Sequence, residues 1–451
     1  MVARAPGADN GAGVHTPIPE AALTSPRVLH ANGKNWRDDP AGRVVVTGFG
    51  VISSIGSGRT EFLAGLQQGR CGAKPISKWD ATGFPHDHAC EVTDFDPASV
   101  LERLDPKSSG QVAALAAAAS RMAVRDAGLD PAAVRAEAGL IAVGTTCGQS
   151  LDLDALAEVE LRTPDALPPG DLARVLQPGR LATAAAAELD LRDVETLTIP
   201  TACAAGNYAI SYGVDAIRSG DAEYALCGGA DSVNRMAFAG FVRMGAMAHE
   251  RCRPFDRERD GTMWGEGAAM LVLESLDHAR RRGAPILAEV LGLHLNCDAE
   301  HPTAPVRERV AECMAGALAD AGVDAAELDV IFAHATGTRA SDPMEVGAIR
   351  DVFGDRPPPP VVGVKSMIGH TMGAVGAHTA IAALLAMRHR FLPPTVNFRE
   401  PDPDCQVDCV PNVARPAAVR TALVNSLGFG GNNATVVLRG PGPHFPEGAD
   451  A

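Results

Sequence analysis

The chain has 451 residues, 46% hydrophobic and 21% charged, enough apolar material for one large folded unit or two medium ones. Its formal net charge of −15 sets it against DNA, RNA and anionic membranes as broad partners. No run approaches the ~18 apolar residues needed to span a bilayer, and the Ala-, Gly- and Pro-rich start lacks a signal-peptide pattern, so a cytoplasmic protein is expected.

Residues 1–42 read as a mobile extension. Order begins at Arg43, where Val44-Val45-Val46 forms a short apolar strand ending at Gly48. Further strands are expected at Leu140–Val143, Thr196–Ile199, Tyr224–Cys227, Ala268–Leu273 and Ile286–Leu295, and then at Val330–Ala333, Val361–Val364, Leu423–Asn425 and Thr435–Leu438. Several are apolar throughout, the pattern of strands covered on both faces. Helices lie between them: Val112, Leu115, Ala116, Ala119 and Met122 share a face before the stop at Gly128, and Val306, Val310, Met314, Ala317 and Leu318 do so before Gly322. The alternation predicts an α/β fold with helices on buried sheets. Aromatics make up only 4% of the chain, so the core has to be built by close approach through small side chains. A tail follows from residue 441.

Two strand–turn–helix units resemble each other. Thr198-Ile-Pro-Thr-Ala-Cys203-Ala-Ala-Gly206 runs from a strand through a reactive residue into an Ala/Gly-rich helix. Val362-Gly-Val-Lys365-Ser-Met-Ile-Gly369-His370 does the same, which suggests a duplicated fold with a site between its halves. Cys203 stands where helix N–H groups and the positive end of the helix dipole favour a thiolate. A buried structural cysteine is nevertheless the commoner occupant of such a position. The 10 cysteines show neither CxxC pairs nor zinc-ligand spacing, so no disulfide framework and no metal site are expected. His334 ends an apolar strand, and His370 occupies a Gly-rich turn heading a small-residue helix; ligands of α/β folds commonly bind at such strand ends. Lys365 precedes His370 at its own strand end, with Glu345 or Asp342 as a possible partner. Gly48-Phe-Gly50 lacks the second strand and acid of a dinucleotide fingerprint. Gly428-Phe429-Gly430-Gly431-Asn432-Asn433 lies between two strands and suits a loop bringing backbone N–H groups to a site.

These residues resemble the thiolase-fold condensing enzymes, specifically elongating β-ketoacyl-[acyl carrier protein] synthases. The matching stretches are Thr201-Ala-Cys203-Ala-Ala-Gly206, Arg253-Pro-Phe-Asp256 to Asp260-Gly261, and Gly265-Glu-Gly267. They continue with His334-Ala-Thr-Gly-Thr338, Asp342 to Glu345, Lys365-Ser-Met-Ile-Gly-His370 and Asn425-Ser-Leu-Gly-Phe429-Gly-Gly431, in order from about Arg43 to Arg439. The resemblance implies a layered α-β-α-β-α fold, two mixed sheets around buried small-residue helices, with halves at 43–290 and 291–440. It implies a catalytic set of Cys203, His334 and His370, with Lys365 and Glu345 as supporting charges and Phe429 as a gate. The N–H groups of Cys203 and Phe429 would form the oxyanion hole. Thr303, Thr336 and Thr338 would contact the phosphopantetheine arm of an acyl carrier protein, and Cys147 and Phe238 would line the acyl pocket. The implied assembly is a homodimer, or a heterodimer with a homologous chain-length subunit, and the implied chemistry needs no metal or redox cofactor.

The sequence departs from the family at Ala335, Asn432-Asn433 and Ala304, positions that bear on how the arm is held. A degradative thiolase would want a second cysteine in the C-terminal Gly loop, which has none. A non-catalytic chain-length partner would lack Cys203. A synthase-like acyltransferase, or a ketosynthase subunit of a type II polyketide system, stays open beside a fatty acid synthase.

Overall fold

The computed structural model describes residues 36–37, 39–163, 170, 175–177 and 179–441. Most of the expected N-terminal extension, and the tail from 442, lie outside the described residues. The part of the extension that is described does not behave as a loose arm. Trp36 is buried, and the Arg218 guanidinium stacks 3.6 Å from its ring centroid while bonding Asp320 at 3.2 Å. The expected boundary at residue 42 therefore moves back to Trp36, because an aromatic ring over a buried cation ties the chain down.

Ten strands, numbered along the chain, follow one hydrogen-bonded path. They are β1 (Val44–Ser53), β2 (Gly139–Gly144), β3 (Val194–Ile199), β4 (Tyr224–Asp231) and β5 (Gly267–Ser275), then β6 (Ala288–Cys297), β7 (Val330–Phe332), β8 (Val361–Val362), β9 (Thr421–Gly428) and β10 (Asn432–Arg439). The spatial order is β8-β7-β9-β10-β6-β1-β5-β4-β2-β3, with a short Gly56–Ser57 arm beside β1. Each half repeats one plan. In the first, β2 pairs parallel with β3 and β4, and β5 runs antiparallel between β4 and β1. In the second, β7 pairs parallel with β8 and β9, and β10 runs antiparallel between β9 and β6. The two mixed sheets meet where Val44–Val46 pairs with Ala288–Val290, so they form one continuous path.

β1 is buried along its whole length and does not stop at Gly48. Gly48 and Gly50 are strand residues over which helix α1 (Gln111–Asp126) packs: a Cβ on Gly50 would lie 2.0 Å from Ala119 O. They serve close helix–strand approach, not a turn.

Helices α2 (Ala205–Ser219), α3 (Arg307–Ala321), α4 (Ser341–Phe353) and α5 (Val375–His389) complete the frame around the site. α2 and α5 are the buried small-residue helices. Each follows a 3₁₀ turn, Ala202–Ala204 or Met372–Ala374, whose first residue is left-handed: φ is 51° at Ala202 and 48° at Met372. The elbow equivalent to Cys203 is thus Gly373. The sequence repeat placed it at Lys365–His370, but the short Lys365–Ile368 helix intervenes between β8 and the second elbow. The helices cross at glycines, where a Cβ on Gly206 would lie 2.9 Å from Gly373 O and one on Gly376 2.6 Å from Asn207 Oδ1. Among the described residues no helix is long and apolar enough to cross a membrane.

Candidate active site

Cys203 is the middle residue of the first elbow and is buried. Its own N–H and that of Phe429 favour its thiolate, as does the charge of Lys365, yet burial outweighs them and pushes the thiol up to about 11. The expectation of a lowered thiol pKa does not hold. The helix terminus is present, but the sulfur sits in an apolar cluster with Phe238, Phe241, Trp264 and Met372, where charge is poorly solvated.

His334 lies just beyond β7 and His370 in the turn before the second elbow; their ring centroids are 5.5 Å apart. His334 Nδ1 accepts the Leu427 N–H at 3.3 Å, and His370 Nδ1 accepts the Met372 N–H at 3.2 Å. Each ring therefore carries its proton on Nε2. Burial, then the Lys365 charge, holds both far below the usual histidine range, so both are neutral.

Lys365 bonds not to a carboxylate but to His334: its Nζ donates to the His334 carbonyl and lies 3.3 Å from Nδ1. Burial lowers its ammonium to about 8 against the pull of Glu345. Glu345 accepts the N–H of His334 at 2.7 Å, the N–H of Ala335 at 2.8 Å and Asn425 Nδ2 at 2.8 Å, and burial raises its pKa. Asp342 accepts from Phe255 N at 2.9 Å and Gly337 N at 3.0 Å, with burial raising it to about 7. The two acids hold the His334–Thr338 loop from beneath.

A cavity of about 710 Å³ opens onto these groups. Cys203, His334, His370 and Phe429 line it, and so do Thr303, Thr336 and Thr338. The Thr336 and Thr338 hydroxyls lie 3.0 Å apart. Phe429 stacks on Phe241, 5.4 Å between centroids and 17° between planes.

The family model described as "Beta-ketoacyl synthase, N-terminal domain" matches residues 41–279, and its C-terminal counterpart matches 287–399. The chain belongs to the β-ketoacyl synthase family. It is 36% identical over 409 residues to the 3-oxoacyl-[acyl-carrier-protein] synthase 2 of Coxiella burnetii, covering 88% of this chain and 98% of that one. It is 37% identical over 418 residues to the tetracenomycin polyketide synthase ketoacyl synthase alpha subunit of Streptomyces glaucescens, covering 88% and 97%. The solved ishigamide ketosynthase/chain length factor superposes with a TM-score of 0.87 at 52% identity, covering 89% and 99%. The fold is that of the thiolase-like ketosynthases, and the protein is a carbon–carbon bond-forming acyltransferase.

Two expected pocket residues of this β-ketoacyl synthase stand apart from the cavity. Cys147 and Phe238 belong instead to the apolar cluster behind Cys203. Phe238 is fully buried against Trp79 and Phe84, at 5.2 Å and 5.8 Å. Phe241, one helical turn on, reaches the cavity in its place. The sequence reading missed Phe241, and it missed Asp231, a buried acid whose only signal was its place at the end of an apolar strand.

Proposed function

We propose that this synthase loads an acyl thioester onto Cys203 and extends it with a malonyl-type unit delivered on the phosphopantetheine of an acyl carrier protein. One observation carries the assignment: two neutral imidazoles, each with its proton on Nε2, border the same cavity as a cysteine flanked by two backbone N–H groups. Cys203 sulfur attacks the acyl carbonyl, the N–H groups of Cys203 and Phe429 hold the oxyanion, and the thiol proton leaves with the carrier thiol. The malonyl thioester then gives up carbon dioxide. The electron pair of the broken bond becomes an enolate, whose oxygen takes hydrogen bonds from Nε2–H of His334 and His370. Its carbon attacks the acyl-Cys203 carbonyl, and collapse expels the Cys203 thiolate, which is reprotonated, leaving a β-ketoacyl carrier thioester. Lys365 fixes His334, and Thr303, Thr336 and Thr338 line the route of the arm. The one proton consumed, by the expelled Cys203 thiolate, comes from solvent; all other groups are those of the protein and the two thioesters.

Intact-protein mass spectrometry after incubation with acyl carriers tests this reading. Acyl mass is expected on the native chain and not on Cys203→Ala, and condensation by that variant would overturn it.

The assembly we propose is a heterodimer with a chain-length subunit in a type II polyketide system, working in the cytoplasm, where all ten free thiols stay reduced. The 52% identity to a ketosynthase/chain length factor supports it, as does the partly exposed edge strand β3, open to pairing with a second subunit. Co-expression with homologous subunits and light scattering tests it; a clean monomer at micromolar concentration refutes it.

A further inference from the structure

The two elbows are built alike and used differently. In the first, the thiol of Cys203 faces the backbone N–H of Phe429, the residue following β9. The strand corresponding to β9 in the other half is β4, and it ends on Asp231. In the second elbow the N–H of Gly373, counterpart of the Cys203 N–H, donates to Asp231 Oδ2 at 2.6 Å. The second elbow thus keeps an anion site and fills it with an internal carboxylate.

We infer that Asp231 is a positioning residue for the condensation, joining the turn that holds His370 to the loop that carries Cys147. Its Oδ2 also accepts Thr146 N at 2.7 Å, and its Oδ1 accepts Thr145 Oγ1 at 2.7 Å and Cys147 N at 2.9 Å. All four donors are neutral, and the carboxylate is fully buried. On one side the clamp runs through Gly373 to Met372, whose N–H fixes His370 Nδ1 at 3.2 Å. On the other it holds Cys147, which packs in one apolar cluster with Cys203. A single carboxylate therefore sets the His370 imidazole and the Cys147 loop against the nucleophile, across the two halves.

Burial raises Asp231 to about 6, so it is ionised at neutral pH and loses acceptor capacity as pH falls through 6. The shifted groups around it, Cys203, Cys147 and His370, do not share that range. Cys203 and Cys147 are both raised, and its charge contributes to each; His370 stays far below, and Glu266 of the adjoining loop is paired with Lys78 at 2.7 Å.

The inference rests on the proposed role of His370 in decarboxylation, and one set of measurements separates the two. Malonyl-carrier decarboxylation and iodoacetamide alkylation of Cys203 are compared in the native enzyme, Asp231→Asn, Thr145→Val and His370→Ala. Asp231→Asn should slow decarboxylation about tenfold or more, since small misplacements of a catalytic group are costly. It should also speed alkylation, because the charge that raises the Cys203 thiol is gone. A loosened fold would also expose buried Cys203 to alkylation, so alkylation is followed from pH 6 to 10: a lost charge moves the thiol titration to lower pH, whereas loosening alone raises the rate without that shift. Thr145→Val, which removes one of the four bonds, should show a smaller decarboxylation loss. The native decarboxylation rate should fall below about pH 6, and Asp231→Asn should lose that inflection. If His370→Ala is slow but Asp231→Asn is not, or if both reactions of Asp231→Asn fall together, the inference is overturned alone. If His370→Ala decarboxylates normally, it falls together with the proposed function.

Discussion

His334 and His370 meet edge to face, with 85° between their ring planes, and backbone N–H groups hold the proton of each ring on its far nitrogen. Neither can act as an acid of ordinary histidine pKa, because burial and Lys365 keep both neutral. Their use is as paired hydrogen-bond donors. Replacing either with Ala should slow malonyl decarboxylation by about 10²–10³, the cost of one oxyanion donor, and slow Cys203 acylation much less. Single-turnover assays of the two half-reactions decide it; equal losses in both would remove the division of labour.

Lys365 is the cation that favours the Cys203 thiolate. Lys365→Met should raise the Cys203 pKa further and slow alkylation at pH 7. Mass-spectrometric alkylation rates from pH 6 to 10 show the shift, and an unmoved profile would detach Lys365 from the nucleophile.

Glu345 satisfies three buried donors from His334, Ala335 and Asn425. Glu345→Ala leaves them unpaired at about 1–3 kcal/mol each, so a large drop in denaturation midpoint should accompany the loss of activity. Glu345→Gln, which keeps one oxygen acceptor, should cost less. Chemical denaturation of both variants measures the difference, and a native midpoint in the Ala variant would contradict it.

Gly206→Ala forces a methyl to within 2.9 Å of Gly373 O and 3.0 Å of Ala377 N. Overpacking at such a crossing costs about 1–3 kcal/mol. It should also separate Cys203 from the second elbow, so catalytic loss should exceed the fraction unfolded. Thermal melts paired with activity on the folded fraction test that excess.

Cys147→Phe should shorten the longest acyl chain accepted while sparing short chains. Cys147 does not line the cavity but packs in one apolar cluster with Cys203, so a bulky ring there would crowd the nucleophile's surroundings, and each methylene refused is worth about 1–3 kcal/mol. A chain-length series of acyl carriers reads the change, and an unaltered profile would show that Cys147 has no bearing on chain length.

The ten strands were legible because most strands in this fold are buried apolar runs of modest length, and each expected run overlaps a strand of the sheet. Cys203, His334 and His370 could be read together from motif order, and the fold brings all three to one cavity, with Lys365 beside His334. What escaped was set by three dimensions. Gly48 looks like the end of a strand until α1 is laid on it and on Gly50. Phe238 and Phe241 are both apolar residues of one short helix, and only packing decides which ring reaches the cavity. The Cys203 pKa depends on how dry its surroundings are, which a helix-terminus argument does not contain. Trp36 needed Arg218, far along the chain, to become structure.

The place of β1 has a consequence for how the chain is made. Its partners are β5 and β6, and Val44 pairs with Ser275 and with Val290. The first partner emerges about 230 residues later, a wait on the order of ten to fifty seconds at ordinary translation rates. Throughout that time Val44–Ser53, a segment buried at every position in the finished protein, has only the two-residue Gly56–Ser57 arm to pair with. A fully buried apolar strand thus waits for partners brought from far along the chain, and the nascent chain needs shielding from aggregation until β5 is made.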